Sequence, residues 1–137
     1  MRNMLRLILP VVIVVLAVGT VFAIVIKERP TAKSNGSDVV IRWTTVDESG
    51  VQKFEVLRRS GWTGEFLVIG TVDQLRGNSS TYEFTDKSAF KADGGLYQYK
   101  IRIVNGQNPA PETEVVSVSH VSSAAKRTWG SIKAMFR

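Results

Sequence analysis

The chain of 137 residues contains no cysteine and only one histidine. The lack of cysteine excludes disulfides, thiolate nucleophiles, cysteine-ligated zinc and a lipid attached to a cysteine. No motif supplies the lone histidine, His120, with the nucleophile and orienting carboxylate that a general base needs, so a surface or strand-end position is favoured. We therefore expect no catalytic residue and no cofactor, and we expect a protein that is not an enzyme.

Converging acidic residues are also lacking. The two acidic turns, Asp47-Glu48 and Asp93-Gly94-Gly95, offer fewer carboxylates than an oxygen-ligand calcium site requires. Turn formation explains both, because aspartate caps its own backbone and glycine accepts a positive φ angle. We expect no metal site.

The middle of the chain has no excess of basic residues, although the whole chain carries a formal net charge of +6. Residues 38–121 contain nine Lys/Arg against eleven Asp/Glu, whereas residues 1–37 contain five against one. Residues 122–137 contain four Lys/Arg and no acid. A nucleic-acid-binding module needs a cationic face that displaces phosphate counterions, so this distribution argues against nucleic acid as a partner.

An uncharged run of twenty residues, LILPVVIVVLAVGTVFAIVI, occupies residues 7–26. As a helix rising about 1.5 Å per residue, the run reaches about 30 Å, the thickness of the hydrocarbon core of a bilayer. It is longer than the apolar region of a cleaved signal peptide, although Val21-Phe22-Ala23 resembles a cleavage site and keeps that alternative open. We predict a basic stub over residues 1–6 followed by an uncleaved transmembrane helix, a signal anchor.

The orientation of this helix is only weakly set by charge, because two arginines precede it and three Lys/Arg follow it. A short stub followed by one helix and one domain favours a C-terminal domain outside the cytoplasm. Residues 27–37, which include the polar stretch RPTAKSNGS, are predicted to form a linker that keeps the domain close to the membrane.

Residues 38–121 alternate between apolar and polar positions in six short stretches separated by turn-forming residues. In the clearest stretch, Tyr97, Tyr99, Ile101 and Ile103 share one face. This pattern predicts an antiparallel β-sandwich in which each sheet has one face in water. The six stretches are DVVIRWTT, QKFEVLRRS, EFLVIGTV, STYEFTD, LYQYKIRIV and ETEVVSVSHV.

The strand that contains Trp43 and the stretches FEVLRR, YEFTD and LYQYKIRIVN resemble strands B, C, E and F of a fibronectin type III domain. The resemblance covers residues 38–121 and implies a seven-stranded, immunoglobulin-like sandwich with Trp43 at its centre. It also implies that Tyr97 occupies the tyrosine-corner position, with its hydroxyl bonded to backbone near the turn between strands E and F.

The chain departs from this family before Val39, where no alternation of apolar residues indicates strand A. We expect strand A to be short, displaced or absent, which would leave an exposed edge open to a partner strand. The residues predicted to form the structural core are Trp43, Phe54, Val56, Tyr82, Phe84, Tyr97, Tyr99 and Ile101.

Two features are candidate contacts with a partner or with lipid. Trp62 lies in the turn SGWTG, where it is either an exposed binding anchor or folded back over its sheet. Residues 122–137 are predicted to form a short basic amphipathic helix with an apolar stripe beside its cations. The candidate contact residues of this tail are Lys126, Trp129, Ile132, Lys133, Phe136 and Arg137.

The tail helix has three possible docking partners: anionic lipid of the anchoring membrane, another protein, or its own sandwich. The favoured function is a membrane-anchored, non-enzymatic binding or scaffolding protein that presents the sandwich for protein–protein interaction. The alternative is a structural subunit of a surface filament or pilus-like assembly, although the leader site and early glutamate of type IV pilins are missing.

Overall fold

The computed structural model describes residues 25–89 and 95–120, which form seven β-strands in two antiparallel sheets. One sheet has the order β1-β2-β5 and the other the order β4-β3-β6-β7. No helix occurs in these two ranges, and hence none that could cross a membrane. The mainly β, antiparallel class is therefore confirmed. The strands are β1 (Thr31–Ser34), β2 (Val39–Thr44), β3 (Lys53–Ser60), β4 (Leu67–Val72), β5 (Thr81–Asp86), β6 (Gly95–Val104) and β7 (Val116–His120).

The two sheets pack face to face through a cluster of aromatic rings. Trp43 on β2 stacks on Tyr82 of β5 at 5.5 Å between ring centroids and meets Phe54 of β3 edge-on at 5.8 Å. Both are geometries that the charge distribution of aromatic rings favours. Seven of the eight predicted core residues are at most 3% exposed, and the eighth, Phe84, is partly buried against the same core.

The N-terminal segment belongs to the sheet from Val25 onwards. Ile26 forms an isolated antiparallel bridge with Thr45, and the N–H of Lys27 donates to the carbonyl of Thr44 at 2.9 Å. Val25 and Ile26, which hydropathy assigns to the membrane helix, pack against the protein core. Hydropathy alone does not distinguish an apolar residue in lipid from one in a protein interior. The rest of the predicted span and the whole predicted tail helix lie outside the described residues.

A short strand, β1, precedes β2 inside the stretch predicted to be a linker. Thr31–Ser34 pairs antiparallel with β2, from Thr31 opposite Arg42 to Ser34 opposite Val39. The side chains of β1 are mostly exposed, so the strand has no apolar alternation to reveal it. Pro30, immediately before it, is fully buried. Residues 31–34, which the composition assigns to a linker, are thus part of the sandwich.

Gly70 on β4 marks a close approach between the two sheets. A Cβ atom at this position would overlap the ring of Phe84 on β5. The neighbouring Ile69 is an extra residue in the pairing of β4 with β3, because Val56 pairs with Gly70 whereas Leu57 pairs with Val68. The ring of Phe84 therefore fills the space that a side chain at position 70 would need.

We expect Gly70→Ala to lower the free energy of unfolding by about 1–3 kcal/mol, because the added methyl group forces the Phe84 ring or the backbone to move. Urea unfolding of the purified chain measures the change. Thr71→Ala, at the exposed next position, is the control and should change stability by less than about 0.5 kcal/mol. Gly70→Ala combined with Phe84→Leu should recover part of the loss. An unchanged Gly70→Ala protein would contradict the close approach.

Candidate protein-binding surface

Trp62 lies in the turn between β3 and β4, and 68% of its surface is exposed. It is not folded over the sheet. Leu67 and Val68, at the start of β4, are 66% and 48% exposed. Leu67 and Val68 are successive residues of one strand, so their side chains face opposite sides of the sheet. We call these three residues the Trp62 patch.

The Trp62 patch continues into an edge strand that carries no charge. Within the described ranges β4 bonds to β3 alone, and its sequence, LVIGTV, contains neither lysine nor proline. Natural edge strands usually carry such residues, which discourage pairing with another chain. The nearest acids, Glu65 and Asp73, are exposed, and neither has an ion-pair partner in the part of the chain that the structure describes.

The outer face of the four-stranded sheet is covered by cations that lie over Phe66. The guanidinium of Arg59 lies 4.6 Å and the ammonium of Lys100 lies 4.3 Å from the centroid of its ring. Arg59 also donates to the side-chain oxygen of Gln98 at 2.6 Å, and Gln98 donates to Ser117 at 3.0 Å. These contacts explain why Gln98 is buried, although the alternation places it on the wet face.

A network of ion pairs occupies the rest of that face. Arg102 bonds to Glu112 at 3.0 Å and to Glu55 at 3.2 Å, and Lys100 and Lys53 each pair with one of these acids. Burial raises the pKa of Glu112, but the bonds from Lys100 and Arg102 outweigh it, and the pKa lies below its usual value. These cations are neutralised by their neighbours and form no free basic surface.

Asp86, at the end of β5, is a buried carboxylate that joins the two sheets. Its oxygens accept hydrogen bonds from Arg58 of β3 at 2.7 Å, from the hydroxyl of Tyr99 of β6 at 2.8 Å, and from Ser88. Burial raises the pKa of Asp86, yet these donors outweigh it and hold the pKa below its usual value. Burial and the Asp86 contact raise the pKa of Tyr99. With both oxygens engaged, Asp86 has a structural role.

Glu48 is a second buried carboxylate, and the sequence does not reveal it. Its oxygens accept from the hydroxyl of Tyr82 at 2.8 Å and from the N–H of Gly77 at 2.9 Å, so it fastens the loop after β2 to the loop before β5. Its neighbour Asp47 is partly exposed and accepts from the backbone N–H two residues on, as an acidic turn should. Thr45 also donates to it from three residues away, but the other two partners of Glu48 are 29 and 34 residues away in the chain, which a local turn pattern cannot show.

His120 ends β7, as a strand-end histidine should, but it is fully buried. Its Nδ1 lies 2.6 Å from the hydroxyl oxygen of Ser34 on β1, and its Nε2 has no hydrogen-bond partner among the described residues. A serine–histidine pair alone lacks the orienting acceptor that completes a catalytic triad. The contact joins β1 to β7 across the seam between the sheets. No group of three or more potential metal ligands occurs within residues 25–89 and 95–120.

A cleft of about 860 Å³ opens at the other end of the sandwich, between residues 25–29 and residues 111–114. Arg29 and Glu114 bridge it at 2.6 Å, and Glu112 is already bonded to cations of β6. A ligand site normally offers convergent polar groups that are free to orient the ligand. Arg29, Glu112 and Glu114 are thus paired, whereas Lys27 and Glu28, which also line the cleft, are exposed and form no ion pair within the described residues.

The chain enters the sandwich at one end, at Val25, and leaves it at the opposite end, at His120. Gly95, at the start of β6, pairs with His120, and the neighbouring Leu96 accepts from the N–H of Gly61 beside Trp62. The other end of β6 lies beside the cleft that residues 25–29 line. A strand of ten residues spans about 30 Å. The chain beyond His120 therefore begins on the side of Trp62, far from the N-terminal segment.

Of the candidate contact residues, only Trp62 is placed by the structure. The tail residues Lys126, Trp129, Ile132, Lys133, Phe136 and Arg137 lie outside the described residues, as do residues 90–94 of the turn between β5 and β6, near which the hydroxyl of Tyr97 is expected to bond. The ring of Tyr97 itself is buried beneath the guanidinium of Arg58, at 5.3 Å.

The fold defines the class of this protein as an antiparallel β protein with two sheets packed on one core, consistent with a β-sandwich. No protein-family model, curated protein or solved structure matches the chain.

The stability of the fold should depend on pH through Asp86. Its folded-state pKa lies below the ordinary 3.8, so its charged form stabilises the fold above that pH, and the contribution is lost as the pH falls through the folded pKa. We expect Asp86→Asn to lower the free energy of unfolding at neutral pH by about 1–3 kcal/mol and to flatten its decline in acid.

Chemical denaturation from about pH 7 down to about pH 2 tests this expectation. Glu83→Gln is the control, because Glu83 forms an exposed ion pair with Arg42 and such pairs contribute little. An acid decline that is equally steep in the Asp86→Asn protein would show that the Asp86 carboxylate does not stabilise the fold.

Proposed function

We propose that the protein is a membrane-anchored, non-enzymatic binding module that presents a fibronectin type III-like domain to a partner protein. The pairing of the strands supports the family resemblance. β1, β2 and β5 correspond to strands A, B and E of an immunoglobulin-like sandwich, and β3, β6 and β7 correspond to C, F and G. β4 pairs with β3, so the remaining strand joins the second sheet.

The observation that carries the proposal is the exposure of Trp62, Leu67 and Val68 at one end of a well-packed sandwich. Tryptophan is prominent among the residues that dominate binding energies when a partner covers them. A domain with this core does not need three large apolar side chains in water for its own stability. Their exposure is explained if a partner protein buries them.

The position of the N-terminal segment supports presentation at a membrane. Val25 already bonds to the sandwich. If the uncharged residues 7–24 cross the bilayer, no linker residues separate the membrane from the domain. As a helix these residues span about 27 Å, close to the thickness of the hydrocarbon core. The Trp62 patch would then stand about 30 Å from the bilayer, at the far end of β6.

The chemistry of the buried polar residues supports a non-enzymatic role. Both carboxylate oxygens of Asp86 and both of Glu48 accept hydrogen bonds from groups that hold the fold together. The Ser34–His120 contact has no orienting carboxylate within the described residues.

A filament subunit is the second candidate, and the uncharged edge of β4 favours it, because such an edge can add a strand from another copy. Negative-stain images of the purified protein distinguish filaments from isolated particles.

We expect the full chain to stay with membranes during carbonate extraction, since residues 7–24 form its anchor. A reporter fused to the C-terminus should be active only outside the cytoplasm. Val14→Lys combined with Val15→Lys, which places two charges in the apolar run, should release the protein. Extraction of the unaltered chain by carbonate, or a mature N-terminus just after Ala23, would contradict the anchor.

We expect Trp62→Ala to weaken binding of the partner by about 2 kcal/mol or roughly 30-fold, as for other central anchors. A photo-crosslinking residue at position 62 captures and identifies the partner in native membranes, and the affinity of the purified pair is then measured. Val46→Ala, which removes an exposed apolar side chain at the opposite end, is the matched control and should change affinity little. Equal effects of the two substitutions would contradict the assignment of the patch.

A further inference from the structure

The outer strands of the two sheets differ in how they are protected from pairing with another chain. Within the described ranges these strands are β1 and β5 of one sheet and β4 and β7 of the other. β1 and β7 lie beside each other, because Ser34 on β1 contacts His120 on β7. β5 carries a charge in its middle, Glu83, which pairs with Arg42. β4 carries no charge, and no described strand lies beyond it.

An added strand would meet apolar surface on both faces of the sheet at β4. Leu67 and Val68 are exposed and, as successive residues, face opposite sides. Further along the strand, the ring of Phe84 lies against Gly70 and is only partly buried. Because the side chains of a paired strand alternate between the two faces, uncharged residues of strand-forming type are favoured at every position beside β4.

Two acids mark the ends of this edge. Glu65 lies just before β4 and Asp73 directly after it, and both are exposed and form no ion pair within the described residues. They are eight positions apart, but Ile69 is one extra residue relative to β3, so a regular strand covers the same distance in seven. Opposite charges across neighbouring strands stabilise the pairing. A complementary segment therefore has six uncharged residues between two basic ones.

A second copy of β4 does not meet this requirement. Antiparallel pairing about Ile69 would place Glu65 of one copy opposite Asp73 of the other at both ends, and parallel pairing would place each acid opposite itself. Like charges directly opposite are destabilising. The flanking acids therefore disfavour self-association through β4 and favour a basic partner.

We propose that the partner protein adds an extended segment to the open edge of β4, with six uncharged residues between two basic residues. The basic residues lie beside Glu65 and Asp73, and the backbone of the segment bonds to the outer backbone groups of β4. Main-chain hydrogen bonds give such contacts their affinity, and the side chains give them specificity. Trp62 lies in the turn before β4, so the same partner also covers its ring. This inference rests on the proposed function and names the chemistry of its partner.

Disulfide capture of designed peptides tests this chemistry, because the chain has no cysteine of its own. Thr71→Cys places one thiol at an exposed position of β4 in the purified full chain. The probe peptide has a lysine at each end of six alternating threonine and valine residues, with one central residue replaced by cysteine. The matched peptide has glutamate at each end. Each is supplied as its mixed disulfide with mercaptoethanol, which the protein thiolate displaces, and excess mercaptoethanol keeps the exchange at equilibrium.

We expect the lysine-ended peptide to give about tenfold more adduct than the glutamate-ended peptide, as measured by intact-mass spectrometry. The net charge of the whole chain, +6, acts in the opposite sense and attracts the acidic peptide. Ser119→Cys, at an exposed position of β7, is the control protein and should show no preference for lysine ends. A lysine-ended peptide with proline in its centre should lose most of its adduct, because proline cannot donate to a ladder.

Charge reversal tests the role of the acids. Glu65→Lys together with Asp73→Lys, in the protein with cysteine at position 71, should reverse the preference between the two peptides. Glu28→Lys together with Glu114→Lys makes the same change in net charge at the other end of the sandwich and should retain the preference. Amide hydrogen exchange is a second readout. A lysine-ended peptide without cysteine should slow exchange in β4 of the unaltered chain and leave β7 unchanged.

Three results would overturn the proposal: equal adducts from the two peptides at position 71, an equal preference for lysine ends at position 119, or disulfide-linked dimers of the Thr71→Cys protein in place of peptide adducts. The last result would assign the edge to a second copy of the chain. The peptides contain no part of the partner. Loss of their preference with Trp62-dependent binding intact therefore refutes the edge contact alone, whereas a clear preference with no partner captured at position 62 refutes the proposed function alone.

Discussion

The packing of Trp43 against Phe54 and Tyr82 is the contact on which the rest of this structure depends. A domain without disulfides must hold its sheets together by burial, and these three rings bring apolar surface from both sheets to one place. The buried carboxylates reinforce this core. Glu48 fastens the loops beside Tyr82, and Asp86 bonds across the interface to the other sheet. Each carboxylate tolerates burial because its oxygens are supplied with donors.

This rigid interior determines what the surface can do. On the outer face of the larger sheet, the cations and acids neutralise one another, and Leu57 is fully buried there although it is not part of the central cluster. The edge of β4 and the Trp62 patch differ, because they combine exposed apolar side chains with a backbone that has a partner on one side only. Binding energy comes from burying such groups, whereas satisfied surface pairs contribute little. The surface of the sandwich is thus uneven, and the uncharged edge strand β4 begins near the end of the sandwich where β7 ends at His120.

The alternation of apolar and polar residues predicted the sheet class and most of the core. In β6 the tyrosines and isoleucines that share a face are buried, as a period of two requires. The same rule missed β1, whose exposed side chains carry no alternation, and it placed Gln98 in water. Hydropathy likewise assigned Val25 to the membrane. For Gln98 and Val25 the deciding contact is made with a residue remote in the chain, which local patterns do not contain, whereas β1 pairs with the next strand and is missed only because its side chains are mostly exposed.

By itself, the sequence determined that the chain folds as antiparallel strands, that its opening run is apolar enough to span a bilayer, and that no thiol chemistry is available, since these depend on residue type and near neighbours. Only the tertiary structure decided that Glu48 and Asp86 are buried, that Trp62 is exposed, and that β4 is an edge strand of its sheet. These properties depend on which distant strands pair and on what covers each side chain. Burial and pairing are relations between remote parts of the chain, so they exist only once it has folded.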